Sequence, residues 1–156
     1  MKSLLRALVL AVLVIPVATA SAESFVFKDM QGKQQRLQDY QGKWVLVNFW
    51  ATWCPPCLEE IPDLMKLHEA HNNKDLSVIG VALDSTKESV VEFVAKKKVN
   101  YPIVIGNYDL AAQVGEVNAL PTSYLYDPTG KLVSYQEGKV TRASVESYIK
   151  SKTSGK

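Results

Sequence analysis

The alternation of apolar and polar positions divides the chain into short runs of two kinds. Trp44-Val45-Leu46-Val47-Asn48-Phe49-Trp50 is almost continuously apolar and β-prone, the pattern of a strand covered on both faces. After a three-residue loop the period changes. Leu58, Ile61, Leu64, Met65 and His68 recur at helical spacing, while Glu59, Asp63, Lys66 and Ala70 trace a more polar face. The pattern predicts a helix opening at Cys54 and Cys57 and kinked at Pro62, whose ring crowds the preceding turn. Leu76 to Leu83 predicts a second buried strand, and a strand-helix-strand crossover favours parallel pairing.

The downstream periodicity predicts a helix capped by Ser85, with Val90, Val91, Phe93 and Val94 on its apolar side and Lys96-Lys97-Lys98 in its last turn. A strand follows over Tyr101 to Ile105, then a short helix capped by Asp109, running through Val114 and ended by Gly115. Ser123 to Tyr126 and Leu132 to Gln136 flank Asp127-Pro128-Thr129-Gly130, a hairpin with turn chemistry. Thr141 caps a final helix with Val145, Tyr148 and Ile149 inward, and 151–156 reads as a frayed tail. Near the front, Phe25 to Phe27 and Gln34 to Leu37 predict another hairpin. Strands alternating with helices, closed by an antiparallel hairpin, give an α/β fold with a central mixed sheet flanked by helices.

Composition refines this picture at one end of the chain. The 156 residues are 47% apolar and 22% charged, which excludes a disordered chain and a multi-span membrane protein. Met1 to Arg6 is basic, Ala7 to Val17 is apolar apart from Pro16, and Ala20-Ser21-Ala22 places small residues at an A-x-A site. Residues 1–22 therefore read as a signal peptide, too short for the roughly 20 apolar residues of a spanning helix. An uncleaved anchor is the alternative. Without Lys2 and Arg6, the 18 basic and 16 acidic residues balance, leaving no global field to hold nucleic acid. Residues 23–156 show no repeat or linker and read as one domain.

The chain has two cysteines, Cys54 and Cys57. A loop that short restrains the unfolded chain too little to serve as a staple. Cys-x-x-Cys beside a strand-helix pattern instead points to redox chemistry. At the opening of the helix, free N–H groups and the positive dipole end favour a thiolate on Cys54, the exposed attacking sulfur, with Cys57 one turn on to resolve the mixed disulfide. Pro55 and Pro56 remove two donors, and either this holds the Cys54 pKa nearer neutrality and stabilises the disulfide relative to the dithiol, or the prolines do no more than shape the helix start. Glu60 shares a helix face with Cys57 and is placed either to accept its proton or simply to complement the dipole, while Glu59 points elsewhere.

Phe49-Trp50-Ala51-Thr52-Trp53-Cys54-Pro55-Pro56-Cys57, with Glu60, Pro62 and a distant Leu120-Pro121-Thr122, resembles the TlpA/ResA-like family of bacterial periplasmic thioredoxin-fold oxidoreductases. The resemblance covers essentially all of residues 23–156. It implies a thioredoxin-like fold in which residues 86–98 and 101–105 are an inserted helix and strand. It also implies a cis Pro121 beside the disulfide, Leu120 backbone groups pairing with an extended substrate, and substrate access shaped by Trp53, Pro55, Pro56, Leu120, Pro121 and Thr122. Asn48 stands where ordinary thioredoxins carry a buried aspartate, which shifts proton transfer towards Glu60. By the same resemblance the protein is a monomeric periplasmic reductant of protein disulfides, as in apocytochrome c maturation, recharged by a membrane donor of the DsbD/CcdA kind. Its redox group is the Cys54-Cys57 pair, with no further cofactor.

Other readings compete with this one. Cys54, Cys57, His68 and His71 imitate a zinc pattern, but Cys57 and His68 lie about 16 Å apart along one helix, whereas zinc ligands sit about 2 Å from the metal. Two thiolates alone would suit Cu(I). A DsbA-like oxidase is the nearest enzymatic rival, and a peroxidase lacks its Thr or Ser three residues before the reactive cysteine, where Ala51 stands.

Overall fold

The computed structural model describes residues 24–71, 74–83 and 86–154. The leader lies outside the described residues, as does Ser85. Among the described residues no helix is long and apolar enough to cross a membrane.

The chain runs β1 (Val26–Lys28), β2 (Gln34–Arg36), a 3-10 turn (Leu37–Tyr40), β3 (Trp44–Trp50), α1 (Pro55–His71), β4 (Leu76–Ala82), α2 (Lys87–Lys97), β5 (Ile103–Ile105), α3 (Tyr108–Ala111), β6 (Thr122–Tyr126), β7 (Leu132–Glu137) and α4 (Arg142–Thr153). Five strands form one mixed sheet in the order β5-β4-β3-β6-β7. β3 pairs parallel with β4 and antiparallel with β6. All seven residues of β3 are buried, as expected for the central strand. Its alternate residues feed two cores. Trp44, Leu46 and Trp50 pack with Ile61, Leu64 and Leu67 of α1, Val90 of α2 and Val145 of α4. Val45, Val47 and Phe49 pack with Phe25, Phe27 and Tyr40 on the opposite face.

β1 and β2 form the expected hairpin, which docks beside β5 through an Asp29–Val104 bridge and a Met30 N–H to Ile103 O bond of 2.8 Å. Several boundaries differ from expectation. Thr86 caps α2, its hydroxyl accepting from Ser89 N–H. Asn107, not Asp109, caps α3, because Asn107 is extended and its Oδ1 accepts from Leu110 N–H at 2.8 Å. β5 begins at Ile103, since Pro102 has no N–H and contributes only its carbonyl, which accepts from Gly80 at 2.9 Å. α4 runs to Thr153, well into the segment read as a tail.

Gly80 keeps the α1 side of the sheet close-packed. A Cβ there would sit 2.7 Å from Ile103 Cδ1, 3.0 Å from the Tyr101 ring and 3.1 Å from Trp50 Nε1.

Candidate active site

β3 delivers the chain from the middle of the sheet to its carboxyl end, where residues 51–53 turn into α1. Pro55 and Pro56 suit the first turn because neither needs an N–H partner there. The turn brings Cys54 and Cys57 into a disulfide, with Cα atoms 5.3 Å apart. Cys57 N–H points at Cys54 Sγ from 3.4 Å and Leu58 N–H donates to Cys54 O at 3.1 Å. With Pro55 and Pro56 lacking N–H groups, the first turn offers Cys54 sulfur the Cys57 amide.

Cys54 departs from the exposed thiol expected of it: it is 3% exposed and Cys57 is fully covered. The two bonded sulfurs pack into the core, and the neighbouring loop, which carries the cis Leu120-Pro121 peptide, packs Leu120 against the same cluster. Between the two segments runs an uncharged groove of about 370 Å³, lined by Trp53, Cys54, Pro55, Pro56, Tyr108, Asn118, Ala119 and Leu120. Four of the expected contact residues, Trp53, Pro55, Pro56 and Leu120, therefore meet at one surface. Pro121 and Thr122 are buried behind it, and the Thr122 hydroxyl donates to Ala119 O at 2.7 Å, bracing the loop. Tyr108 faces the groove from α3 and is exposed, a position that neither spacing nor composition marks.

Glu60 lies one turn beyond Cys57 and is 2% exposed. Asn48 Nδ2 donates to its Oε1 at 2.7 Å, and Val140 N–H donates to its Oε2 at 3.0 Å. Neither bond goes to the first turn of α1, so this carboxylate does not cap its own helix. The Asn48 amide also donates to Ser123 Oγ at 3.0 Å, which ties β3, β6 and α1 together around Glu60. Burial pushes the Glu60 carboxyl from 4.5 to about 7, against the opposing pull of the Val140 and Asn48 hydrogen bonds and of the Lys139 charge. Burial and the nearby Glu60 charge push the Tyr101 phenol upward. Glu59 faces away, as expected, and pairs with Lys139.

The arrangement can carry out dithiol-disulfide exchange: two sulfurs able to bond each other, a groove at the first, and one helical turn beyond the second a buried carboxyl pushed up to about 7. Sequence reading identified Glu60 by its helical offset from Cys57. It missed Val140 and Ser123, which reach this region from 80 and 75 residues away. Any residue other than proline offers the Val140 N–H, so no residue type signals it.

A family model described as the AhpC/TSA family matches residues 18–135. The chain is 33% identical over 132 residues to the thiol-disulfide oxidoreductase ResA of Geobacillus thermodenitrificans, covering 85% of this chain and 76% of that protein. It is 36% identical over 129 residues to the ResA of Bacillus anthracis, covering 83% and 75% respectively. Among solved structures, a thioredoxin-family thiol:disulfide interchange protein from Chlorobium tepidum matches with a TM-score of 0.74 and 26% identity, over 82% of this chain and 92% of that one. StoA from Bacillus subtilis shares the fold, with a TM-score of 0.70 and 23% identity over 81% and 96% of the two chains. By the extent of these matches the chain belongs to the AhpC/TSA family, within the thioredoxin fold, and it is a thiol-disulfide oxidoreductase.

Proposed function

We propose that the protein is exported to the periplasm, by its leader or anchored through it, and reduces disulfides in client proteins there. Apocytochrome c cysteines are one client class, and a DsbD/CcdA-like membrane protein is the electron donor. The observation that carries the reading is the Cys54-Cys57 pair at the opening of α1, beside a groove and one helical turn before a buried carboxyl.

In the reduced protein the Cys54 thiolate attacks one sulfur of the client disulfide, forming a mixed disulfide and releasing the other client sulfur as thiolate. Cys57 then gives its proton to the Glu60 carboxylate and attacks Cys54 Sγ. The Cys54-Cys57 disulfide forms and the second client sulfur leaves. Two electrons pass to the client, and the donor returns them by the same exchange in reverse. Trp53, Pro55, Pro56 and Leu120 contact the client, with Pro121 and Thr122 holding the loop in place. The dithiol is the whole redox group, and the protein acts as a monomer.

The first turn of α1 supports the reducing direction. Two prolines leave the Cys57 N–H to stabilise the Cys54 thiolate, and a less stabilised thiolate makes the disulfide the preferred form. Equilibration with glutathione tests this. A potential near or below about −250 mV supports a reductant, and one near about −120 mV overturns it in favour of an oxidase. Purified protein that retains stoichiometric copper and fails to reduce insulin would instead support a Cu(I) carrier.

A further inference from the structure

Two neighbouring residues of α1 are each held by one of two neighbouring residues in the connection between β7 and α4. Lys139 Nζ donates to Glu59 Oε2, and the Val140 N–H donates to Glu60 Oε2 at 3.0 Å. One residue earlier, the Gly138 N–H donates to Pro121 O at 2.8 Å. Gly138 has φ 85°, in the left-handed region that favours glycine. Residues 138–140 lie outside any helix or strand, yet three consecutive residues tie the cis-proline loop, the outer face of α1 and a buried carboxyl to one short strap.

The two donors to Glu60 are held very differently. Asn48 projects from the central strand, and its Nδ2 is held by two acceptors, Glu60 Oε1 and Ser123 Oγ. The Val140 N–H belongs to an irregular segment with no ladder to hold it, so its position depends on its neighbours. The Gly138 bond fixes the strap on the side of the disulfide loop. On the α1 side the strap is held by the Val140 side chain, buried in the core that includes Ile61 and Leu64, and by the ion pair of Lys139 with Glu59, whose side chains are 47% and 63% exposed. A pair so exposed does little for global stability, which leaves the placement of backbone as its consequence.

We propose that Lys139, clamped by Glu59, is a positioning residue for Glu60, holding the 138–140 strap against α1 so that the Val140 N–H stays on the carboxyl. The inference rests on Glu60 being the proton acceptor of the resolving step. Its effect is to keep the acceptor's proton affinity constant while the loop at the other end of the strap engages a client.

Lys139 also acts on Glu60 as a charge, and the two effects separate by sign. The groups facing Glu60 are Asn48 from β3 with Ser123 behind it, Val140 and Lys139 from the β7–α4 connection, and Tyr101 from the α2–β5 connection, with Cys57 one turn earlier on its own helix. If Lys139 acts by charge alone, Lys139→Met raises the Glu60 midpoint, whereas Glu59→Gln removes a negative charge, leaves the lysine unneutralised and lowers it. If the pair is a clamp, both substitutions free the strap, weaken the bond that favours the carboxylate and raise the midpoint.

The experiment is a carbon NMR titration of the Glu60 carboxyl in the disulfide form, where Cys57 does not titrate, with amide hydrogen exchange at Val140 in the same samples. Glu59→Gln and Lys139→Met should each raise the midpoint by at least about half a pH unit. Each should also speed Val140 exchange at least about tenfold. Lys139→Arg should restore both. A lowered or unchanged midpoint in Glu59→Gln, or unchanged Val140 exchange, overturns the clamp. Both readouts are independent of turnover, so failure of the unaltered protein to reduce insulin would sink the proposed function while leaving this test readable.

Discussion

The buried carboxyl of Glu60 makes the stability of the protein depend on pH in a way that one substitution isolates. In the folded chain burial pushes this group from 4.5 to about 7, whereas the unfolded chain leaves it at its ordinary value. A carboxyl whose folded value is raised favours folding when protonated. Its contribution is fully present below about pH 4.5 and is lost as pH rises through about 7. At about 1.4 kcal/mol for each unit separating the two values, the loss amounts to about 3 kcal/mol. Glu60→Gln keeps the shape and removes the titration. Both Glu60 oxygens accept N–H donors, so the glutamine keeps its carbonyl oxygen on the Val140 N–H and turns its Nε2 to Asn48, whose otherwise unpartnered Oδ1 accepts it once that amide turns over. The two proteins should therefore be of similar stability near pH 4.5, and the variant should gain about 3 kcal/mol relative to the unaltered protein by about pH 8. Urea unfolding of both proteins with the disulfide intact, over this range, gives the difference directly, and titrations common to both cancel. A difference that stays flat, or that moves the other way, would refute the burial argument.

Cys57→Ala should accumulate mixed disulfides through Cys54, read by mass spectrometry of trapped species; trapping through Cys57 in Cys54→Ala instead would reverse the assigned order of attack. Glu60→Gln should slow the resolving step chiefly near neutral pH in stopped-flow measurements, whereas an unchanged pH profile would remove Glu60 from proton transfer. Asn48→Asp places a second carboxyl where an amide now donates to Glu60 from 2.7 Å, so the two should share one proton and the upper apparent value of the pair should exceed that of Glu60 today, by carboxyl NMR. Trp53→Ala and Tyr108→Ala should raise KM for a protein disulfide by about tenfold, since exposed aromatics beside a groove anchor partners. Reduction of a small aromatic disulfide should be left nearly unchanged, and equal losses with both substrates would count against a client-binding role.

Much of this molecule is visible in its residue pattern because its dominant elements are local. The unbroken apolar run of β3, the helical period after it and the Cys-x-x-Cys between them put strand, turn and redox pair in order without tertiary information. Glu60 was legible for the same reason, as a fixed helical offset from Cys57. The misplacements arise where neighbouring residues compete for one role. Thr86 caps α2, beside the Ser85 expected to do so. Asn107 caps α3 in place of Asp109, which lies inside the helix. Either residue type suits the position, and backbone geometry decides. The covering of Cys54 and the environment of Glu60 were illegible for a different reason. They depend on the loop at Leu120-Pro121 and on an N–H from Val140, contacts whose chemistry is spread over the whole chain.

The N-terminal hairpin, through Asp29 and Met30, occupies the outer rim of β5 and leaves β7 as the strand at the opposite margin of the sheet. Of the two borders at which a foreign strand could extend this sheet, one is thus already occupied by the chain itself. Sideways growth into aggregates is confined to β7, whose outer half is solvated and ends at Glu137 and the left-handed Gly138. A thiol-disulfide oxidoreductase has reason to offer its protein substrates few such borders, and here a stretch of sequence that adds nothing to the redox site removes one of the two.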